Sequence, residues 1–133
     1  MATFTFELVS PERVLFSGPV MQVVVPGAEG DMAILANHAP VMTVLRSGIV
    51  ALSEDKGATR RLFVAGGFAD VTAKGLTILA ERAIPVEEID VDKVAGEMRN
   101  VEEDIRDAKS DDARDAAVAR LASLKAMLAA VRH

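Results

Sequence analysis

Few side chains in this sequence have the types that chemistry needs, and their spacing assembles none of the usual centres. Glu29, Asp31 and His38 lie close enough along the chain to surround a metal ion. They would all come from one turn-rich stretch, and the other histidine, His133, is the last residue. With ligands drawn from a flexible turn and no second histidine to join them, His38 reads better as a turn histidine that bonds backbone or faces a partner, and no metal is expected. The serines are Ser10, Ser17, Ser47, Ser53, Ser110 and Ser123, none in a Gly-x-Ser-x-Gly setting. There is no cysteine, which removes thiolate chemistry, disulfides and cysteine-bound zinc together. Gly27-Ala28-Glu29-Gly30 is glycine-rich but lacks the Gly-Lys-Thr of a phosphate loop. No nucleophile, base and orienting group can be nominated together, so no catalytic residue is expected and an enzyme is the weakest class.

Composition narrows the partners. The chain has 133 residues, a net charge of −5 and a pI near 5.0, which argues against nucleic acid, whose phosphates require a basic face. With no Trp or Tyr and five Phe, the core must come mainly from Val, Leu, Ile, Met and Ala. Met21, Met32, Met42, Met98 and Met127 read as core fillers. The acidic run from Glu102 to Asp104 reads as a solvated helix face. No apolar run approaches the ~20 residues that span a bilayer. The start Met1-Ala2-Thr3-Phe4 has no signal-peptide pattern, so a cytoplasm-like compartment is expected unless a partner holds the chain at a membrane.

The elements that must position these residues are short strands. Phe4, Phe6 and Leu8 alternate with Thr3, Thr5 and Glu7, the period of a strand with one buried face. Val14-Leu15-Phe16 resumes after Ser10-Pro11-Glu12. Val20 to Val25 reads as one central strand covered on both faces. From Gly27 to Gly48 glycines and the Asn37-His38-Ala39-Pro40 break mark tight turns, with short strands at Met32–Leu35 and Val41–Leu45. Further strands follow at 49–53, 61–65, 68–71 and 76–80, and Gly66-Gly67 permits a bulge or a close backbone approach. Many short strands with turns every eight to twelve residues indicate a β-sandwich or a closed barrel, and a sandwich is expected over residues 1–85.

Residues 86–133 follow another period. Pro85 to Ile89 reads as a hinge, Asp90 as an N-cap, and Ile89 with Val94 as a hydrophobic staple. Val91, Val94, Met98, Val101, Ile105 and Ala108 form one helical stripe. Ser110 caps a second helix, whose stripe is Ala113, Ala117, Leu121, Leu124, Leu128 and Val131. The fold class is therefore mainly β plus α, an N-terminal β-sandwich followed by a C-terminal antiparallel two-helix hairpin. The second helix is alanine-rich and its seam buries little area, which suits an arm that docks and undocks as well as a static one.

Taken in order, several short segments resemble one family. Phe6-x-Leu8-Val9-x-Pro11-Glu12, Phe16-Ser17-Gly18-x-Val20, Gly30-Asp31-Met32-Ala33-Ile34-Leu35, Asn37-His38-Ala39-Pro40, Gly48-x-Val50 and Gly66-Gly67-Phe68-Ala69-Asp70-Val71 are similar to the epsilon subunit of bacterial rotary F-type ATP synthases. The resemblance implies a non-catalytic central-stalk rotor subunit. Such a subunit binds gamma, sits on the c ring, couples proton flow to ATP synthesis, and in many relatives inhibits ATP hydrolysis through an extended hairpin. It also implies alpha and beta subunits as partners, membrane association only through the complex, and a place on the cytoplasmic face of the bacterial inner membrane. By position it assigns c-ring contact to Asp31 and His38 and gamma contact to Ser10 and Thr43. Arg120 and Lys125, in a second helix that is basic from Ala116 onward through Arg132, would meet an acidic region of beta.

Nucleotide-binding relatives carry Ile/Leu-Asp-x-x-Arg-Ala at the start of the first helix. Here the residues are Ile89-Asp90-Val91-Asp92-Lys93-Val94. Lys93 keeps the charge but lacks the planar fork for bidentate phosphate contact, so no cofactor is expected and Ile89, Asp90 and Lys93 are weak candidates for ATP. The residues alone also leave open a self-standing β-sandwich ligand-binding module dimerised by its hairpin.

Overall fold

Strand β1 (Phe4–Val9) puts Phe6 and Leu8 on one face, both fully buried, and everything in the sheet is phased from such alternation. The computed structural model describes residues 2–131, so Arg132 and His133 lie outside the described residues. The strands that follow are β2 (Val14–Val20), β3 (Gln22–Gly27), β4 (Gly30–Leu35), β5 (Val41–Leu45), β6 (Gly48–Ser53), β7 (Thr59–Val64), β8 (Gly67–Thr72), β9 (Gly75–Ala80) and β10 (Ala83–Pro85). They are hydrogen-bonded in the order β10-β7-β6-β3-β5-β8-β9-β1-β2, with β4 on β3.

The sandwich forms because β3 changes neighbours along its length. Gln22, Val23 and Val24 pair with Ser53, Leu52 and Ala51 of β6, whereas Gly27 pairs with Leu45 of β5. Two further backbone bonds fasten this corner: Ala28 N–H donates to the Val44 carbonyl and Arg46 N–H to the Pro26 carbonyl, each at 2.9 Å. One layer is therefore β4-β3-β6-β7-β10 and the other β5-β8-β9-β1-β2. Between them lie Phe6, Leu8, Val20, Val23, Val25, Ile34, Val50, Leu52, Val64, Ala69 and Ile78, each essentially without solvent exposure. Burying each Val, Leu, Ile or Phe side chain is worth about 1.5–3 kcal/mol. Phe6 and Phe16 stack at 5.6 Å between ring centroids.

The expected single strand from Val20 to Val25 is instead two. Val20 ends β2 opposite Phe4, and Gln22 starts β3 in the other layer, so the chain crosses between layers at Met21. An unbroken apolar run cannot reveal such a crossing, because both layers want the same residues. Gln22 and Val24 are only half buried, so β3 is not covered equally on both faces. Pro85, expected to open the hinge, pairs with Leu62 and closes β10.

Two glycines are required by close backbone approach. A Cβ on Gly67 would stand 2.2 Å from the Leu79 carbonyl oxygen, and one on Gly75 2.2 Å from that of Thr5. Both also sit at positive φ, 126° and 138°. Gly75 opens β9 beside β1, the parallel pair of the sheet.

One compact unit runs through Val86, and a second begins at Glu87. The second holds a short 3₁₀ turn (Val86–Glu88, which straddles the boundary) and helices α1 (Val91–Arg106) and α2 (Asp111–Val131). The Asp90 carboxylate accepts from Lys93 N–H at 3.1 Å, and Ser110 Oγ accepts from Ala113 N–H at 3.1 Å, which satisfies one free donor at each helix start. Glu97 and Arg120, placed almost symmetrically about the link, approach to 3.5 Å, as antiparallel packing requires. The stripe of α1 buries Val94 and Val101, but Val91 at its start is 43% exposed. In α2 the fully buried residues are Leu124, Met127 and Ala130; of the expected stripe Leu124 is among them, Ala117, Leu121, Leu128 and Val131 are half buried, and Ala113 is exposed. An alanine-rich helix offers several narrow apolar faces, and packing selects among them. Among the described residues no helix is long and apolar enough to cross a membrane.

Candidate functional site

The outward face of the β5-β8-β9-β1-β2 layer carries an apolar band where an antiparallel sheet facing water would carry polar side chains. Register aligns it. Val44 stands opposite Phe68, Phe68 opposite Leu79, Leu79 opposite Val9, and Val9 opposite Val14. Val44, Phe68, Leu79 and Val14 are 54%, 50%, 57% and 61% exposed, and Val9 is half buried. The next row, Met42-Asp70-Thr77-Glu7-Ser17, begins apolar at the β5 end, where Met42 is 66% exposed, and turns polar. Met42, Phe68, Asp70, Thr77 and Leu79 surround an open depression of about 280 Å³. Exposed apolar groups in such continuity mark a surface that something covers.

The band reaches β2 only because the register slips. Leu8 faces Phe16, but Val9 faces Val14 rather than Leu15, so one extra residue is accommodated in β2. Phe16 stays in the core while Val14 is turned outward beside Val9.

The residues nominated from the sequence are distributed differently. Thr43 lies between Met42 and Val44 and is half buried on the inward side, so its neighbours, not Thr43 itself, project from the outer face. Ser10 is 8% exposed and braces the β1–β2 turn, with its hydroxyl donating to the Arg13 carbonyl at 3.3 Å and accepting from Arg13 N–H at 3.4 Å. It adjoins the Val9–Val14 pair without belonging to the band. Asp31 is the second residue of β4 and forms an ion pair with Arg46. His38 follows the end of β4, is half buried, and its Nδ1 lies 2.7 Å from the Ala39 carbonyl oxygen, beside a shallow cavity of about 300 Å³ lined by Phe4, Leu35 and Pro40 among others. Asn37 enables this turn with a φ of 65°. Four residue steps of extended strand from Asp31 to Leu35, at ~3.3 Å each, separate the two, so they do not form one point of contact.

In the helical unit, the Asp90 carboxylate is engaged in capping and Lys93 is exposed. Arg120 is held near Glu97, and Lys125 is exposed. Among the described residues no group of three or more His, Cys, Asp or Glu side chains is arranged to hold a metal ion.

The sequence alone does not single out the band, because it reads Met42 as core and the other members as ordinary strand residues, whereas Met42 is exposed. The signal was present. Val41 to Leu45 is apolar on both of its faces apart from Thr43, and Phe68 and Leu79 occupy outward positions of strands whose inward positions, Ala69, Val71, Leu76 and Ile78, already fill the core.

Comparison with known proteins places these features in context. Residues 3–86 match the family model described as ATP synthase, Delta/Epsilon chain, beta-sandwich domain. The ATP synthase epsilon chain of Maricaulis maris is 52% identical over 128 residues, covering 96% of both chains, and that of Parvibaculum lavamentivorans is 50% identical over 120 residues, covering 90% of this chain and 91% of the relative. A chain in the mitochondrial ATP synthase of Euglena gracilis, solved as OSCP/F1/c-ring, superposes with a TM-score of 0.84 at 25% identity, over 98% of this chain and 82% of that one. A chain of the Tetrahymena thermophila mitochondrial ATP synthase central stalk and c ring has the same fold, with a TM-score of 0.66 at 14% identity, over 98% and 97% of the two chains.

Proposed function

The chain belongs to the ATP synthase delta/epsilon family, and from that premise we propose that it is the epsilon chain of a proton-translocating ATP synthase, a rotor component that joins gamma to the c ring. It has no catalytic role of its own and transmits torque between proton flow and the catalytic alpha and beta subunits. Its association with the membrane is peripheral, through the complex, on the cytoplasmic face of a bacterial inner membrane.

One observation carries the proposal: the apolar band across the outer face of the β5-β8-β9-β1-β2 layer, which water alone would not maintain. We assign it to gamma. Ser10 and Thr43 then mark the ends of that interface through their neighbours Val9, Met42 and Val44. Asp31 and His38 are assigned to the c ring, and because β4 pairs only with β3, their contact would extend along the other edge of β4. The hairpin is assigned to regulation of hydrolysis, with Arg120 and Lys125 directed to beta. ATP is not required for it, since Asp90 serves as a helix cap and Lys93 replaces the arginine of nucleotide-binding relatives.

A self-standing module dimerised by its hairpin is not favoured by relatives that match along nearly the whole chain. Purification of the tagged full-length chain from detergent-solubilised membranes of its source tests the assignment. The expected outcome is recovery of alpha, beta, gamma and c subunits in one complex. Recovery of the chain by itself or as a homodimer would overturn it.

A further inference from the structure

We propose that Met42 is a reversible oxidation site whose state sets how tightly this chain docks; the inference rests on the assignment of the apolar band to gamma. The chain has no cysteine, so methionine supplies its only oxidisable sulfur. Exposure separates the methionines sharply. Met127 is 6% exposed, Met21, Met32 and Met98 are half buried, and Met42 is 66% exposed, the most exposed large apolar residue among those described. Its position on β5 turns the thioether outward, at the edge of the open depression shared with Phe68, Asp70, Thr77 and Leu79.

Hydrogen peroxide is the oxidant the step requires. A lone pair of the sulfur attacks one peroxide oxygen, the O–O bond breaks, one oxygen stays on sulfur as the sulfoxide, and the other leaves as water. Sulfur is oxidised by two electrons and peroxide is reduced by two. The product exchanges a flexible apolar group for a polar one with a strong acceptor oxygen. Directly across the strand pair is Asp70, which when ionised only accepts hydrogen bonds and so cannot satisfy the new oxygen. Water satisfies it in the free chain, but docking over the adjoining apolar band would strip that water from the band's edge. The lesion therefore spares the fold, since Met42 lies outside the buried core, and penalises association. Methionine sulfoxide reductases restore the thioether, which makes the effect reversible.

The test uses the full-length chain and an F1 assembly depleted of it. The chain is exposed to graded hydrogen peroxide, the added oxygen is located by peptide mass spectrometry, and affinity for the depleted F1 is measured before oxidation, after it, and after treatment with a methionine sulfoxide reductase. Met42 is expected to oxidise ahead of Met21, Met32, Met98 and Met127. Affinity should then fall about tenfold or more, a loss of about 1.4 kcal/mol or more, and return on reduction. The affinity of Met42→Leu, whatever its starting value, should be indifferent to peroxide, whereas Met42→Gln, which places an amide near the sulfoxide position, should bind more weakly than Met42→Leu and be equally indifferent to peroxide. Oxidation spread evenly over the methionines, or unchanged affinity of chain oxidised at Met42, overturns this inference and leaves the docking assignment standing. Failure of the untreated chain to bind the depleted F1 overturns both.

Discussion

Val44 and Phe68 stand directly opposite each other on β5 and β8, and both point away from the core, 54% and 50% exposed. A pair that contributes so little to its own fold contributes to something else. Phe68→Ser should therefore lower affinity for gamma by about a hundredfold, about 2.7 kcal/mol, while moving the melting temperature of the free chain by only a few degrees. Titration calorimetry against F1 depleted of this chain, paired with thermal unfolding of the variant, checks both halves. A large fall in melting temperature with unchanged binding would return Phe68 to the core.

Gly67 predicts the opposite pattern. Its Cβ would collide with the Leu79 carbonyl and stand 2.8 Å from the Ala80 Cα, backbone atoms that cannot rotate aside. Gly67→Ala should cost about 3 kcal/mol or more in urea unfolding, or prevent folding, through a steric and backbone-strain mechanism. Gly57→Ala offers the contrast. Nothing lies within 4 Å of a Cβ there, so only the strain of its φ of 86° remains, about 1–2 kcal/mol.

The assignment of Asp31 and His38 to the c ring is checked by cysteine crosslinking. Cysteines at either position are expected to crosslink to the polar loops of c in assembled complexes, while a cysteine at Leu79 crosslinks to gamma. Crosslinks from Asp31 and His38 to gamma alone would invert the orientation of the sandwich. Asp31 is exposed and its ion pair with Arg46 lies in solvent, so Asp31→Asn should change stability by less than about 1 kcal/mol.

Titration of the isolated chain with ATP should reveal no binding tighter than roughly millimolar, about 4 kcal/mol of association free energy. Lys93→Arg restores the planar fork and should tighten binding if the rest of the motif is competent. Micromolar binding by the unaltered chain would show that a lysine suffices and would bring the hairpin under nucleotide control.

Truncation after Ile89 should leave a folded sandwich that still binds gamma and supports synthesis, because the main buried cluster draws on residues from Phe6 to Ala80. If the hairpin inhibits, ATP hydrolysis should rise on truncation, and Arg120→Ala with Lys125→Ala should reproduce part of that rise, more at low salt than at high. Steady-state hydrolysis at two ionic strengths measures this. Equal rates in all variants would leave the hairpin as a brace.

Local chemistry was sufficient to read some features from the chain alone. Asp90 and Ser110 were legible as caps because a side-chain oxygen meets a backbone donor three residues away, a relation no tertiary contact alters. The turn around Asn37 was likewise written in local backbone sterics, whereas Gly66-Gly67 showed only that a close approach was permitted, and pairing with β9 made glycine at Gly67 a requirement. Which face of an apolar strand meets the core was not. Met42 looked like core because Val41, Val44 and Leu45 surround it, and only pairing with β8 shows that Val41 and Leu45 turn inward while Met42 and Val44 turn out. The slip that places Val14 beside Val9, the crossing at Met21, and the choice of Leu124, Met127 and Ala130 as the buried face of α2 all depend on residues far away in the chain. Sequence spacing determines which faces an element has, whereas the tertiary structure decides which of them is covered, because burial is a property of neighbours and not of the residue itself.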